Sequence, residues 1–181
     1  MAKRIITISR EFGSGGRFIG EEVAKKLGIA YYDKEMIGQI AEQAGLSSAY
    51  VRENAELSPK KGWFAYAFSG RDITGKSVED MVYEAQRKVI MEIAEKENCV
   101  IVGRNADFIL KDRKDVLNVF IHGSIPEKVR RICSLYNVTE VDAIKMINDI
   151  DKRRRTNYNF YTEQKWGMAG NYTCLLYTSP S

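Results

Sequence analysis

The run Ile5-Ile6-Thr7-Ile8-Ser9-Arg10-Glu11-Phe12-Gly13-Ser14-Gly15-Gly16-Arg17-Phe18-Ile19-Gly20 constrains the fold more than any other stretch of the chain. A β-branched apolar run, a loop with three glycines in four residues and an amphipathic pattern follow one another without a gap, the order of a loop that cradles phosphate. Glycines permit positive φ, so several backbone N–H groups can converge on one anion, and the helix beginning near Arg17 adds the positive end of its dipole. The guest this predicts is a polyphosphate. A glycine-rich strand-to-helix turn that only packs a helix closely on a sheet has the same outline.

Against the pattern G-x-x-x-x-G-K-[ST], with the last glycine on Gly16, Glu11 falls at the first glycine, Arg17 at the lysine and Phe18 at the metal-binding hydroxyl. An arginine neutralises phosphate charge, but its planar fork does not replace a compact ammonium one for one. Ser14 is the one hydroxyl inside the loop with a route to a metal ion.

Residues 4–9 read as a buried parallel strand, and a helix from about Phe18 to Leu27 carries Ile19, Val23 and Leu27 on one face before stopping at Gly28. Residues 29–32 make a second short strand that ends at Asp33, giving a βαβ unit. Asp33 lies where open α/β sheets bind ligands, just past a strand's carboxyl end, and also suits the N-cap of the helix from Lys34 to Ala44, the commoner role for such an Asp; both can hold. Residues 45–76, with the aromatic run Trp63-Phe64-Ala65-Tyr66-Ala67-Phe68, break the rhythm and read as an insertion. A long helix from Ser77 to about Asn98 follows, opened by Ser77 and Asp80 as an approximate capping box.

Cys99-Val100-Ile101-Val102-Gly103 is the third strand, and it delivers Arg104 and Asp107 at its carboxyl end. A guanidinium placed there needs an anionic partner, either a ligand phosphate or a nearby carboxylate. Residues 116–122 form a fourth strand ending in His122, where a structural hydrogen bond is expected. Pro126 opens one helix, and Thr139 with Asp142 caps another that ends in Asp151-Lys152-Arg153-Arg154-Arg155-Thr156-Asn157-Tyr158. That charge run suits a solvated helix end, and beside Tyr158, Phe160, Tyr161 and Trp166 it also suits a lid folding over phosphates.

At 181 residues the chain fits one domain with a small insertion. A formal charge of +4 suits an anionic small molecule and is too weak to indicate nucleic acid. Three widely spaced cysteines without a C-x-x-C pair predict a reducing, cytoplasmic setting. The lone histidine makes a histidine-based metal site improbable, and no apolar run approaches the roughly 20 residues that span a bilayer.

Four ordered motifs, residues 8–16, Tyr32-Asp33-Lys34-Glu35, residues 100–107 and Asp151-Lys152-Arg153-Arg154, resemble the cytidylate kinase-like family of P-loop proteins over about residues 4–172. The resemblance implies an α/β three-layer P-loop kinase fold: a parallel sheet ordered 2-3-1-4-5, a helical monophosphate-binding insertion at 45–76 and an arginine-rich lid at 151–170. It implies that Gly13, Ser14, Gly15, Gly16, Arg17 and Phe18 hold ATP, with Mg²⁺ near Ser14. Asp33, Arg104 and Asp107 would hold the acceptor, a nucleoside monophosphate such as CMP or dCMP, and Arg17, Arg153 and Arg154 would serve catalysis. The expected chain is a cytoplasmic monomer or weak homodimer without nucleic-acid or membrane partners. The octapeptide Cys174-Leu175-Leu176-Tyr177-Thr178-Ser179-Pro180-Ser181 does not resemble the family's end and reads as a truncated or non-native tail after Thr173, which leaves the fifth strand absent or makeshift. A P-loop kinase for another small acceptor, and a non-catalytic nucleotide-binding module, stand as the competing readings.

Overall fold

The computed structural model describes residues 4–43, 45 and 78–178. The insertion read at 45–76 and the Ser77 cap lie outside the described residues, apart from Gly45. The chain divides into two compact units, Met1–Asp33 with Lys96–Ser181, and Lys34–Glu95.

The first unit is built on a five-stranded parallel sheet of β1 (Ile5–Arg10), β2 (Ala30–Tyr32), β3 (Cys99–Val102), β4 (Val116–Gly123) and β5 (Cys174–Thr178), ordered β2-β3-β1-β4-β5. The order is the expected one, and the fifth strand left open by the sequence is present. It pairs with β4 from Val119 opposite Cys174 to Gly123 opposite Thr178. Its first four residues are exposed, whereas all four residues of β3 are buried.

Between β1 and β2 runs α1 (Gly16–Leu27). It starts two residues earlier than the periodicity places it, because Gly15, at φ 81°, ends the loop and Gly16 already turns as helix. Gly28, at φ 64°, stops it and returns its N–H to Ala24 and Lys25 carbonyls. Bare Gly20 lets α1 settle on the sheet: a Cβ there would come 2.9 Å from Val102 Cγ2. Ile8, Ala24, Val100, Val102, Val119 and Ile121 form the resulting core.

After β3 come a short helix, which we label α4 (Ala106–Ile109), then α5 (Ile125–Tyr136), α6 (Glu140–Thr162) and a single 3₁₀ turn at Ala169–Asn171. Ser124 and Thr139 cap α5 and α6 by accepting from Glu127 N and Asp142 N. Val129 and Ile132 of α5 pack on Ala143 and Ile147 of α6, and Phe12 from the phosphate-type loop leans on the same cluster. Helix α6 corrects one expectation. It runs past the expected end at Tyr158 to Thr162, since nothing from 151 to 162 breaks a helix and Arg is a good helix former. Residues Arg153 and Arg154 therefore sit mid-helix.

The second unit holds α2 (Lys34–Gln43) and nearly all of α3 (Val78–Lys96). Ile37 and Ala41 are fully buried in α2, as are Val89, Ile90 and Ala94 in α3. Among the described residues no helix is long and apolar enough to cross a membrane.

Candidate active site

The loop between β1 and α1 is shaped as a cup. Gly13 and Gly15 have φ of 80° and 81°, positions at which any side chain would be strained. Alternating hand is the backbone pattern of an anion nest, with the Ser14 N–H donated to the Glu11 carbonyl at 3.3 Å. Ser14 is fully buried, and its Oγ donates to the Glu11 carbonyl at 2.8 Å. The hydroxyl thus braces the loop from inside. Phe18, at the position of the usual metal-binding hydroxyl, is 55% exposed on α1.

Beneath the loop lies a buried ionic cluster that fills the place a first glycine would leave empty. Lys128 of α5 brings its ammonium to Glu11 Oε2 at 2.9 Å and to Asp151 Oδ2 at 3.7 Å. Glu11 also accepts from Gly123 N, and Asp151 Oδ1 accepts from Phe12 N at 2.7 Å. Burial pushes the Asp151 carboxyl up, against the pull of the Phe12 amide, Arg154 and Lys128. From the same helix, Arg131 donates to the Gly13 carbonyl, and its Cζ lies 3.4 Å from where a Gly15 Cβ would stand. Lys128 and Arg131 were not visible as site residues from the sequence, where they look like ordinary polar positions of an amphipathic helix. The available signal was Glu11: a carboxylate in place of a glycine demands a cation.

Arg10, Arg104 and Arg154 form the third feature. The Arg10 side chain passes so close to the loop that a Gly16 Cβ would lie 2.6 Å from Arg10 Cβ, and a Gly103 Cβ would overlap Arg10 Nη1. Burial, then the charges of Arg154 and Arg104, pushes the Arg10 guanidinium down to about 9. Burial also lowers Arg154, with Arg104 contributing, although Asp151 opposes the shift. Arg154 Nη1 donates to the Arg10 carbonyl at 3.0 Å, and its Cζ sits 5.7 Å from the centre of the Phe12 ring. Three consecutive residues, Gly103, Arg104 and Asn105, have φ of 78°, 58° and 55°. Such a left-handed run is costly for Arg and Asn and is the kind of local strain that concentrates at functional sites.

The remaining expected residues divide into those gathered here and those placed elsewhere. Arg17 does not reach over the loop: its Nη2 pairs with Asp33 Oδ2 at 3.0 Å, with side chains 61% and 7% exposed. Arg17 is the second residue of α1, and the buried carboxylate at the end of β2 holds it. Successive helix positions differ by about 100°, so Arg154 faces Phe12 while Arg153 is exposed. Asp107 is 3% exposed and accepts from Ser9 Oγ at 3.2 Å and Tyr158 OH at 2.8 Å. It is an internal support that joins β1, α4 and α6. Burial raises the Asp107 carboxyl above the ordinary aspartate range and pushes the nearby Tyr172 up to about 12. His122 stacks edge-on against Tyr177, with ring centres 5.2 Å apart.

A pH prediction arises from Asp107. Because its folded pKa is raised, the folded state disfavours the ionised form, so this carboxylate subtracts stability as pH climbs above the unfolded value. Asp107→Asn is expected to gain stability relative to the parent chain as pH rises from about 4 to about 7, read from urea midpoints at both values. A difference that stays constant with pH would contradict the burial of this charge.

The profile of the cytidylate kinase-like family matches residues 5–180. The chain belongs to that family. An uncharacterized protein from Eubacterium ventriosum has a similar structure, with a TM-score of 0.74 and 29% identity over 97% of this chain and 88% of that one. Shikimate kinase from Acinetobacter baumannii, solved with shikimate, covers 99% of this chain and 86% of its own at 14% identity and a TM-score of 0.53. A gluconokinase from Sinorhizobium meliloti covers 99% and 84% at 14% identity and 0.54. The two kinases share the fold, a P-loop kinase fold, with this member of the family. No curated protein matches the chain.

Proposed function

We propose that the protein transfers the terminal phosphoryl group of ATP to a nucleoside monophosphate, with CMP or dCMP the favoured acceptor, releasing ADP and the nucleoside diphosphate. The observation that supports this most is the pairing of two anion sites in one unit: the loop amides of residues 13–16, and the guanidiniums of Arg10, Arg104 and Arg154 beside them. Membership of the family favours cytidylate.

In this reading the loop amides and the amino end of α1 hold the polyphosphate of ATP, and Arg131 lies over the same loop. Arg104 holds the acceptor phosphate. An acceptor oxygen attacks the γ-phosphorus while the bond from that phosphorus to the β–γ bridging oxygen breaks, and the electron pair leaves with ADP. Little covalent help is needed, so catalysis rests on alignment and on cations placed around the moving group. Arg154 faces inward from α6, which Asp151 and Tyr158 anchor to Phe12 and Asp107, while Arg153 stands on the exposed side of the same helix. Arg17 and Asp33 frame the end of β2 as a pair, and Asp107 keeps β1 and α6 in register from inside.

Magnesium does not find its customary protein ligand. Phe18 occupies the hydroxyl position, the Ser14 hydroxyl is buried against Glu11, and among the described residues no three His, Cys, Asp or Glu side chains gather into a metal-holding group. The protein's own charge neutralisation therefore falls to its arginines. This same departure favours one alternative, a nucleotide-binding module without turnover. An assay of ADP release coupled to NADH oxidation, run over a panel of nucleoside monophosphates, separates the two. Acceptor-dependent ADP formation, greatest with CMP or dCMP, is the expected result; ATP binding with no acceptor-dependent turnover would overturn the kinase assignment.

A further inference from the structure

We infer that Arg10, the last residue of β1, is the residue that grips the phosphoryl group between donor and acceptor, taking over the charge that a loop lysine would supply. This deepens the kinase reading and rests on it. The position aligned with that lysine holds Arg17, which is mostly exposed and engaged with Asp33. Arg10 instead runs along the loop, past Gly16, and ends against Gly103 at the tip of β3.

Two bare glycines make that path. A methyl group at Gly16 would stand 2.6 Å from Arg10 Cβ and 2.8 Å from its Cγ, and one at Gly103 would overlap the guanidinium itself. The backbone thus leaves a slot for this side chain in both the loop and the β3 turn. The guanidinium lies between the element that cups one phosphate and the strand end that presents Arg104 for another. Among the described residues no carboxylate is found in an ion pair with it, and its electrostatic neighbours include two further guanidiniums, Arg104 and Arg154, with Asp33 and Tyr31 only partly offsetting them. Cations do not gather in a half-buried place to stabilise a fold. Arg154 is ion-paired to Asp151 at 3.5 Å, whereas Arg10 has no such partner among the described residues, so a guanidinium held at the end of β1 without a carboxylate is suited to a multiply charged anion. A planar fork can bond two oxygens at once, which suits a group passing from one phosphate to another.

The test uses the full chain and three variants: Arg10→Gln, Arg10→Lys and Gly103→Ala. Binding of inorganic tripolyphosphate is measured by calorimetry, steady-state kinetics by ADP release, and Tm without ligand by calorimetric melting. Arg10→Gln is expected to weaken tripolyphosphate about tenfold to a hundredfold and to lower kcat about a hundredfold with a smaller change in KM. Its ligand-free Tm should equal or exceed that of the parent, because mutual repulsion is relieved. Arg10→Lys keeps the charge without the fork and should fall between the two. Gly103→Ala, which displaces the guanidinium but leaves the residue in place, should reproduce the binding loss.

If the parent binds tripolyphosphate and Arg10→Gln binds it equally well, the role of Arg10 is refuted while the kinase reading stands. A loss of binding in Arg10→Gln that merely follows a lowered ligand-free Tm also refutes it, since that is the mark of a structural residue. If the parent chain itself fails to bind tripolyphosphate or ATP, the loop is not a phosphate site and both readings fall together.

Discussion

Lys128→Met is expected to destabilise the protein by about 3–5 kcal/mol, the cost of breaking a buried ion pair by removing one partner. The Lys128 side chain is only 5% exposed, and its ammonium is the cation shared by Glu11 and Asp151. Without it, Glu11 loses its cation and Asp151 keeps only Arg154 at 3.5 Å, and the repulsion between the two carboxylates weakens the bonds they accept from Gly123 N and Phe12 N. Urea unfolding of the two proteins measures the effect. Glu11→Gln on top of Lys128→Met should recover part of the loss, because it removes one of the stranded charges. A single-variant change below about 1 kcal/mol would place Lys128 among ordinary surface lysines and contradict the described cluster. The same variant should weaken ATP binding beyond what its stability explains, since the cluster fixes the backbone at Glu11 and Phe12, which leads into the glycines.

The second large effect falls on catalysis. Arg104→Gln is expected to lower kcat/KM for the acceptor by about 10²- to 10³-fold, the usual loss on removing a preorganised charged donor from a transition state. Stability should hardly move, because Arg104 is half-buried and adds to the repulsion felt by Arg10 and Arg154. That combination separates it from Lys128. A loss of stability with unchanged kcat/KM would assign Arg104 a packing role and leave the left-handed run at residues 103–105 without a functional reason.

Much of this architecture is legible in the sequence because local and global signals agree. The β-branched run, the glycines and the alternation of strand and helix fix β1, α1, β2 and β3 to within two residues, and the observed strand order is the one the resemblance implies. Boundaries were hardest where no breaker marks them. The arginine run looks like a frayed helix end, yet α6 continues past it, and only then do Asp151, Arg154 and Tyr158 share a face while Arg153 points away. The glycine loop after β1 and the strand end that carries Arg104 were legible as local structure. The site was not legible in Lys128, Arg131 and Arg10, because their roles follow from which helix is packed against which turn. Arg17 shows the limit of alignment by position: the sequence puts a cation where a lysine belongs, and a buried carboxylate at the end of β2 claims it.

In the proposed enzyme the turn between residues 13 and 16 holds the phosphates of ATP although its lysine is gone, Arg104 holds the acceptor phosphate and Arg10 lies between them. A crystal structure with CMP and a non-hydrolysable ATP analogue tests it directly. The expected result has the analogue's β- and γ-phosphates within hydrogen-bond distance of the loop amides, the CMP phosphate on Arg104, and Arg10 between the two. A loop that stays empty in crystals grown at saturating nucleotide, or an analogue bound elsewhere on the chain, would contradict it.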